Sequence, residues 1–201
     1  LMFLNPLEFC IKLLGKAVDK KDKSCIFELL SSKSLDEIKL IEDVYQKEYD
    51  KSLRDGLDKI FSGVMKKNVL NFLTTKRNQD HNPKKNECES TATTLIDAGE
   101  SNWVNDENIF KEIFLKKSPE ELILIARFYL KKTSKNLLDV IDKKLSGDNK
   151  TLIREVLYNN ILPHELFAEK LYNSMKGLGT DEELLSRVLV SRNELDMPLI
   201  R

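Results

Sequence analysis

The sequence predicts an all-α protein assembled from repeated five-helix units, and three observations carry that prediction. Glycine and proline number only 7 and 5 in 201 residues, so chain breakers are rare. Apolar residues recur at helical spacing. Leu7, Cys10, Ile11 and Leu14 fall at i, i+3, i+4 and i+7, and Met65, Val69, Phe72 and Leu73 at i, i+4, i+7 and i+8. The chain also repeats itself: Ser32-Lys33-Ser34-Leu35-Asp36-Glu37-Ile38 matches Lys116-Lys117-Ser118-Pro119-Glu120-Glu121-Leu122 at an offset of 84 residues. The offset persists from Tyr45 to Tyr129, Leu53 to Leu137, and Ser62-Gly63 to Ser146-Gly147. A third copy follows after a further 75 residues, where Phe110, Ile113 and Phe114 fall on Leu185, Val188 and Leu189.

In the first unit, residues 1–80, helices are expected at roughly 6–18, 22–32, 35–49, 51–61 and 64–77. Gly63 and Gly147 mark the break between the fourth and fifth helices of the first two units. A polar stretch from Lys76 to Glu87 follows, with the linker proper at 81–87. Acids and asparagines dilute its lysines, so it reads as a solvated connection; a basic binding patch is the alternative. The second unit spans 88–160, and the third, 161–201, is only the start of a repeat. Pro119 and Pro163 stand where helices begin, which suits a fixed φ and a missing N–H.

Composition narrows the function. Lys+Arg and Asp+Glu both number 33, so no global basic field argues for nucleic acid. No apolar run approaches the ~18 residues of a membrane span. Leu1 to Pro6 show no basic region and no cleavage signal, so a cytoplasmic location is expected. Cys10, Cys25 and Cys88 are an odd, scattered set without metal-ligand spacing, which suggests reduced thiols. His81 and His164 stand apart from any visible nucleophile–base arrangement, so catalysis is not expected.

The third unit carries the most specific signal. Met175-Lys176-Gly177-Leu178-Gly179-Thr180-Asp181-Glu182-Glu183 precedes Leu184-Leu185-Ser186-Arg187-Val188-Leu189-Val190-Ser191-Arg192. This run resembles the annexin repeat signature nearly letter for letter, and the resemblance extends more weakly over the whole chain. It implies an annexin-like array of five-helix repeats packed into a curved disc, here incomplete: repeats two and three and the opening of four. The family's chemistry at this loop is calcium (Ca2+) binding. Glycines turn the backbone sharply so that successive carbonyls point outward, and a hard cation accepts such oxygens. By resemblance the ligands are the carbonyls of Met175, Gly177 and Gly179, with Thr180 and Glu182 as weaker candidates. An acidic side chain about 40 residues further on completes the family's site, which places it near 219, beyond Arg201. The alternative is a plain interhelix turn, with Thr180 as N-cap and Glu183 closing a capping box.

The other two loops depart from the pattern. Val18, Lys20 and Lys21 replace the motif residues of the first unit, and Ile60 holds the acidic position. In the second unit Val104 and Asn105 replace the glycine and threonine, and Lys144 holds the acidic position. Neither should bind calcium. Trp103 is a candidate interface contact, with a packed tryptophan as the alternative. Lys144, Lys20 and Lys21 are candidate headgroup contacts, with solvated lysines as the alternative. A further reading of Lys144 is as a stand-in for the lost metal, its ammonium neutralising the carbonyls of Gly99 and Asn102. The resemblance implies peripheral, calcium-dependent binding to acidic phospholipid membranes. Its rival is a calcium-independent scaffold for cytoskeletal or other proteins.

Overall fold

A computed structural model describes residues 6–192 and 196–200, and every regular element in them is helical. The first unit comprises α1 (Pro6–Lys20), α2 (Lys23–Ser31), α3 (Leu35–Tyr49), α4 (Leu53–Ile60) and α5 (Gly63–Phe72). The second begins with α6 (Lys85–Ala98) and the short turns α7 (Asn102–Asn105) and α8 (Glu107–Ile109), which run into a π-helical segment at Phe110–Leu115. It continues through α9 (Pro119–Thr133), α10 (Leu137–Lys144) and α11 (Gly147–Ile161). α12 (Pro163–Met175), α13 (Glu182–Arg192) and a 3-10 turn at Met197–Leu199 form the third. α9, α10 and α11 each start 84 residues after α3, α4 and α5.

Local chemistry sets these boundaries. Ser34 and Ser118 open α3 and α9 with full capping boxes closed by Glu37 and Glu121. Burial pushes the Glu121 carboxyl up, but the Ser118 N–H, Lys117 and Asn78 outweigh it and hold it below the ordinary range. Gly63 and Gly147 take φ of 57° and 56°, a left-handed turn that glycine enters without strain. Two expected ends move. Ser52 accepts from the Asp55 N–H, so α4 starts at Leu53 rather than 51. α5 stops at Phe72 rather than 77, where the β-branched pair Thr74-Thr75 turns back onto the Asn71 carbonyl.

Forty buried apolar side chains from the first two units form one continuous core, whereas Phe167, Val188 and Ile200 make a small separate one in the third. Trp103 is fully buried in the large core. Its Nε1 donates to the Leu95 carbonyl at 2.9 Å, and its ring stands edge-on to Tyr129 at 5.7 Å. Cys10, Cys25 and Cys88 are buried free thiols, and burial pushes that of Cys25 up to about 12. The linker is pinned rather than loose. Arg77 donates to the carbonyls of Lys117 and Phe114, Asn78 Nδ2 donates to Glu121, and His81 Nδ1 meets Glu120 at 2.7 Å.

Four charges join all three units, Glu28, Glu155 and Arg187 buried and Lys170 partly so. Lys170 on α12 donates to Glu28 on α2 at 2.7 Å and to Glu155 on α11 at 2.8 Å. Arg187 on α13 grips both oxygens of Glu28, at 3.0 and 3.2 Å. Burial raises the Glu155 carboxyl, with Lys170 opposing and Glu28 adding to the rise.

Two predictions follow from this packing. Glu28→Gln leaves Lys170 and Arg187 facing one carboxylate in a dry site and should cost about 3–5 kcal/mol, read from the urea midpoint. Trp103→Ala should cost about 3–5 kcal/mol by the same measurement.

Candidate functional site

The three turns that follow α1, α6 and α12 share a place in their units but not a geometry. In the third unit, α12 ends at Met175, and Gly177 and Gly179 take φ of 107° and 101°, values almost confined to glycine. The loop is exposed from Met175 to Glu183, with the Leu178 side chain wholly free at its tip. Its ends are tied: the Asp181 N–H donates to the Ser174 carbonyl at 2.7 Å. Among the described residues, no backbone amide outside the helices donates to the carbonyls of Met175, Gly177 or Gly179. Those oxygens are the set a hard cation would take. The Thr180 carbonyl differs, since it accepts from the Glu182 N–H at 3.0 Å. Glu182 is exposed on the first turn of α13. No cluster of three or more acidic, histidine or cysteine side chains suited to a metal occurs among the described residues.

The expected capping arrangement is corrected here. α13 starts at Glu182, so Asp181, not Thr180, is the N-cap, and its Oδ1 accepts from the Leu184 N–H at 2.9 Å. Glu183 closes no box; its carboxylate meets Lys20 of the first unit at 2.9 Å.

In the first unit the carbonyls are consumed. α1 runs on to Lys20, two residues past the expected end, and Lys21 turns left-handed at φ 56°. The Asp22 N–H then donates to Ala17 and the Lys21 N–H to Val18, the paired bonds of a Schellman motif. Asp22 goes on to cap α2 through the Cys25 N–H. Lysine in place of glycine at this φ costs roughly 1–2 kcal/mol.

In the second unit the turn that carries Val104 and Asn105 is helical, α7. The Asn102 N–H donates to Gly99 and the Asp106 N–H to Asn102, so both carbonyls that a Lys144 ammonium was expected to neutralise are already occupied. Lys144 itself is exposed on the last turn of α10. The Val104 carbonyl accepts from the buried Asn68 amide at 2.7 Å. Trp103 lies inward, as described, and its ring is not at the surface in this conformation.

A chain of contacts puts the three turns side by side. Lys20 reaches Glu183, Lys23 reaches Asp148 at 2.6 Å, and Asn149 beside it donates to Asn105 at 3.3 Å. Sequence reasoning missed these bridges because side chains 44, 125 and 163 residues apart carry no spacing signal. No described helix is long and apolar enough to cross a membrane.

Comparison with known proteins agrees with this geometry. The annexin family profile matches residues 10–72, 91–156 and 166–201. Annexin A13 of Homo sapiens is 33% identical over 199 residues, covering 98% of this chain and 63% of that protein. Annexin A6 of Rattus norvegicus is 30% identical over 207 residues, covering 100% of this chain and 31% of that protein. Among solved structures, annexin III superposes with a TM-score of 0.87 at 30% identity, over 98% of this chain and 62% of that one. Chicken annexin V gives 0.86 at 31% identity, over 98% and 63%. The chain thus spans less than two thirds of the length of these relatives, a span that fits an incomplete disc of repeats. With the family profile matching over most of its residues and the helices superposing throughout, the chain belongs to the annexin family.

Proposed function

We propose that the protein binds acidic phospholipid surfaces peripherally and in a calcium-dependent way, from a cytoplasmic location, and that the third-unit loop is its metal site. The observation that carries this reading is an exposed loop with fixed ends in which no backbone amide outside the helices, among the described residues, takes up the carbonyls of Met175, Gly177 and Gly179. Bound calcium would supply positive charge and open coordination positions for a lipid phosphate oxygen. The loop's own residues do the rest. Gly177 and Gly179 hold the backbone in its turned form, Asp181 anchors it to α13, and Leu178 stands ready to meet an interface. The family's acidic ligand for this loop falls outside the sequence, so the full-length protein is the object to test.

A second reading has its own support. In the other two turns carbonyls are engaged, Ala17, Val18, Gly99 and Asn102 by nearby amides and Val104 by the Asn68 side chain, which favours a calcium-independent scaffold for a protein partner, such as a cytoskeletal one.

Co-sedimentation of the full-length protein with phosphatidylserine vesicles, with and without calcium, separates the two. The first reading expects pelleting only with calcium; binding that ignores calcium, or none at all, favours the scaffold. Gly179→Val forces a β-branched residue to φ 101° and should weaken calcium binding roughly tenfold or more in calorimetry. Unchanged affinity would remove the carbonyl account of the loop.

A further inference from the structure

A cavity of about 600 Å3 lies on the other side of the molecule from the three turns. α2 begins beside Asp148 at Lys23 and ends on the cavity at Ser31, and α11 likewise runs from the turn side to Asn159 at the cavity wall. Phe72 and Leu115 supply an apolar wall, and Thr75, Arg77 and Gln79 from the linker supply a polar one. The volume falls within the range of about 300–1,000 Å3 usual for small-molecule sites.

Arg77 is the unusual member. The cations Lys170 and Arg187 each hold a carboxylate, whereas Arg77 meets only the carbonyls of Lys117 and Phe114. Those two bonds use one N–H of each terminal nitrogen, which leaves part of the guanidinium fork unspent. Burial pushes the group down to about 10. Arg77 is half-buried and forms no ion pair among the described residues, a costly state for a charge, and an oxyanion that fits the planar fork relieves it. Thr75 adds an independent sign, for its enclosed Oγ1 has no hydrogen-bond partner among the described residues. The other cations on the wall are already engaged: Lys33 with Glu37 at 3.5 Å, His81 with Glu120 Oε1 at 2.7 Å, and Arg192 with Asp196. Glu120 Oε2 has no partner among the described residues, so a ligand that donates a hydrogen bond there as well as accepting at Arg77 fits best.

We propose that this cavity is a binding site for a small organic anion, its carboxylate or phosphate on Arg77 and Thr75 and its apolar body against Phe72 and Leu115. The site is independent of the calcium loop and of any membrane, and it is filled from solution.

Calorimetry on the full-length protein in metal-free buffer tests the proposal, with phenyl phosphate, inorganic phosphate and benzoate as probes at constant ionic strength. Phenyl phosphate should bind saturably and more tightly than inorganic phosphate, and benzoate should compete with it. Arg77→Gln should weaken phenyl phosphate about tenfold or more, the loss of a charged hydrogen-bonding partner. That change also removes the carbonyl clamp, so Gln79→Glu serves as the second variant. Gln79 is exposed on the wall, and a carboxylate there should weaken binding about fivefold by repulsion alone. Absence of saturable binding, or equal binding by Gln79→Glu, overturns the site. Equal affinity for phenyl phosphate and inorganic phosphate overturns the apolar subsite.

Discussion

The arrangement of the three units rests on Glu28. Its carboxylate sits in a dry junction, held by Arg187 through both oxygens and by Lys170, which also holds Glu155. Apolar packing alone would not orient the third unit, because its own core of Phe167, Val188 and Ile200 is small and separate. Hydrophobic contact is non-directional, whereas a two-point guanidinium–carboxylate contact fixes angle as well as distance. Lys20 can therefore find Glu183 across the boundary. That surface pair is too exposed to organise anything itself, and it reports an alignment that the buried charges impose.

Within that frame, the fate of each turn follows from where its backbone amides go. Gly177 and Gly179 adopt angles that carry the chain away from its helix, and among the described residues no backbone amide outside the helices takes up the carbonyls there. At Lys20-Lys21 the helix instead runs on and closes through paired amides, and at Asn102–Asn105 it curls into another short helix. The same five-helix frame thus carries one open turn and two sealed ones.

Much of this was legible in the sequence. The 84-residue offset survives as an equal spacing of helix starts from α3 to α11, because apolar periodicity and capping residues act locally. The glycine pattern of the third loop also pointed to its backbone, since φ near 100° is close to a glycine signature. Legibility failed where the deciding partner was remote or where two local rules competed. Thr180 and Asp181 are both good caps, and only the helix start selects Asp181. Trp103 in a degenerate loop offered no sign that Leu95 and Tyr129 would enclose it. Arg77 looked like one more polar linker residue until the Phe114 and Lys117 carbonyls were seen around it.

α2 and α11 pack side by side and are fastened at both ends, by Lys23 to Asp148 on the turn side and by Asn159 to Ser31 on the cavity side. The contact at the cavity end is partly buried and the one at the turn end is exposed, so the packing between the two helices, more than either contact, holds them in register. The turns on one face and the cavity on the other are therefore built on the two ends of the same pair of helices.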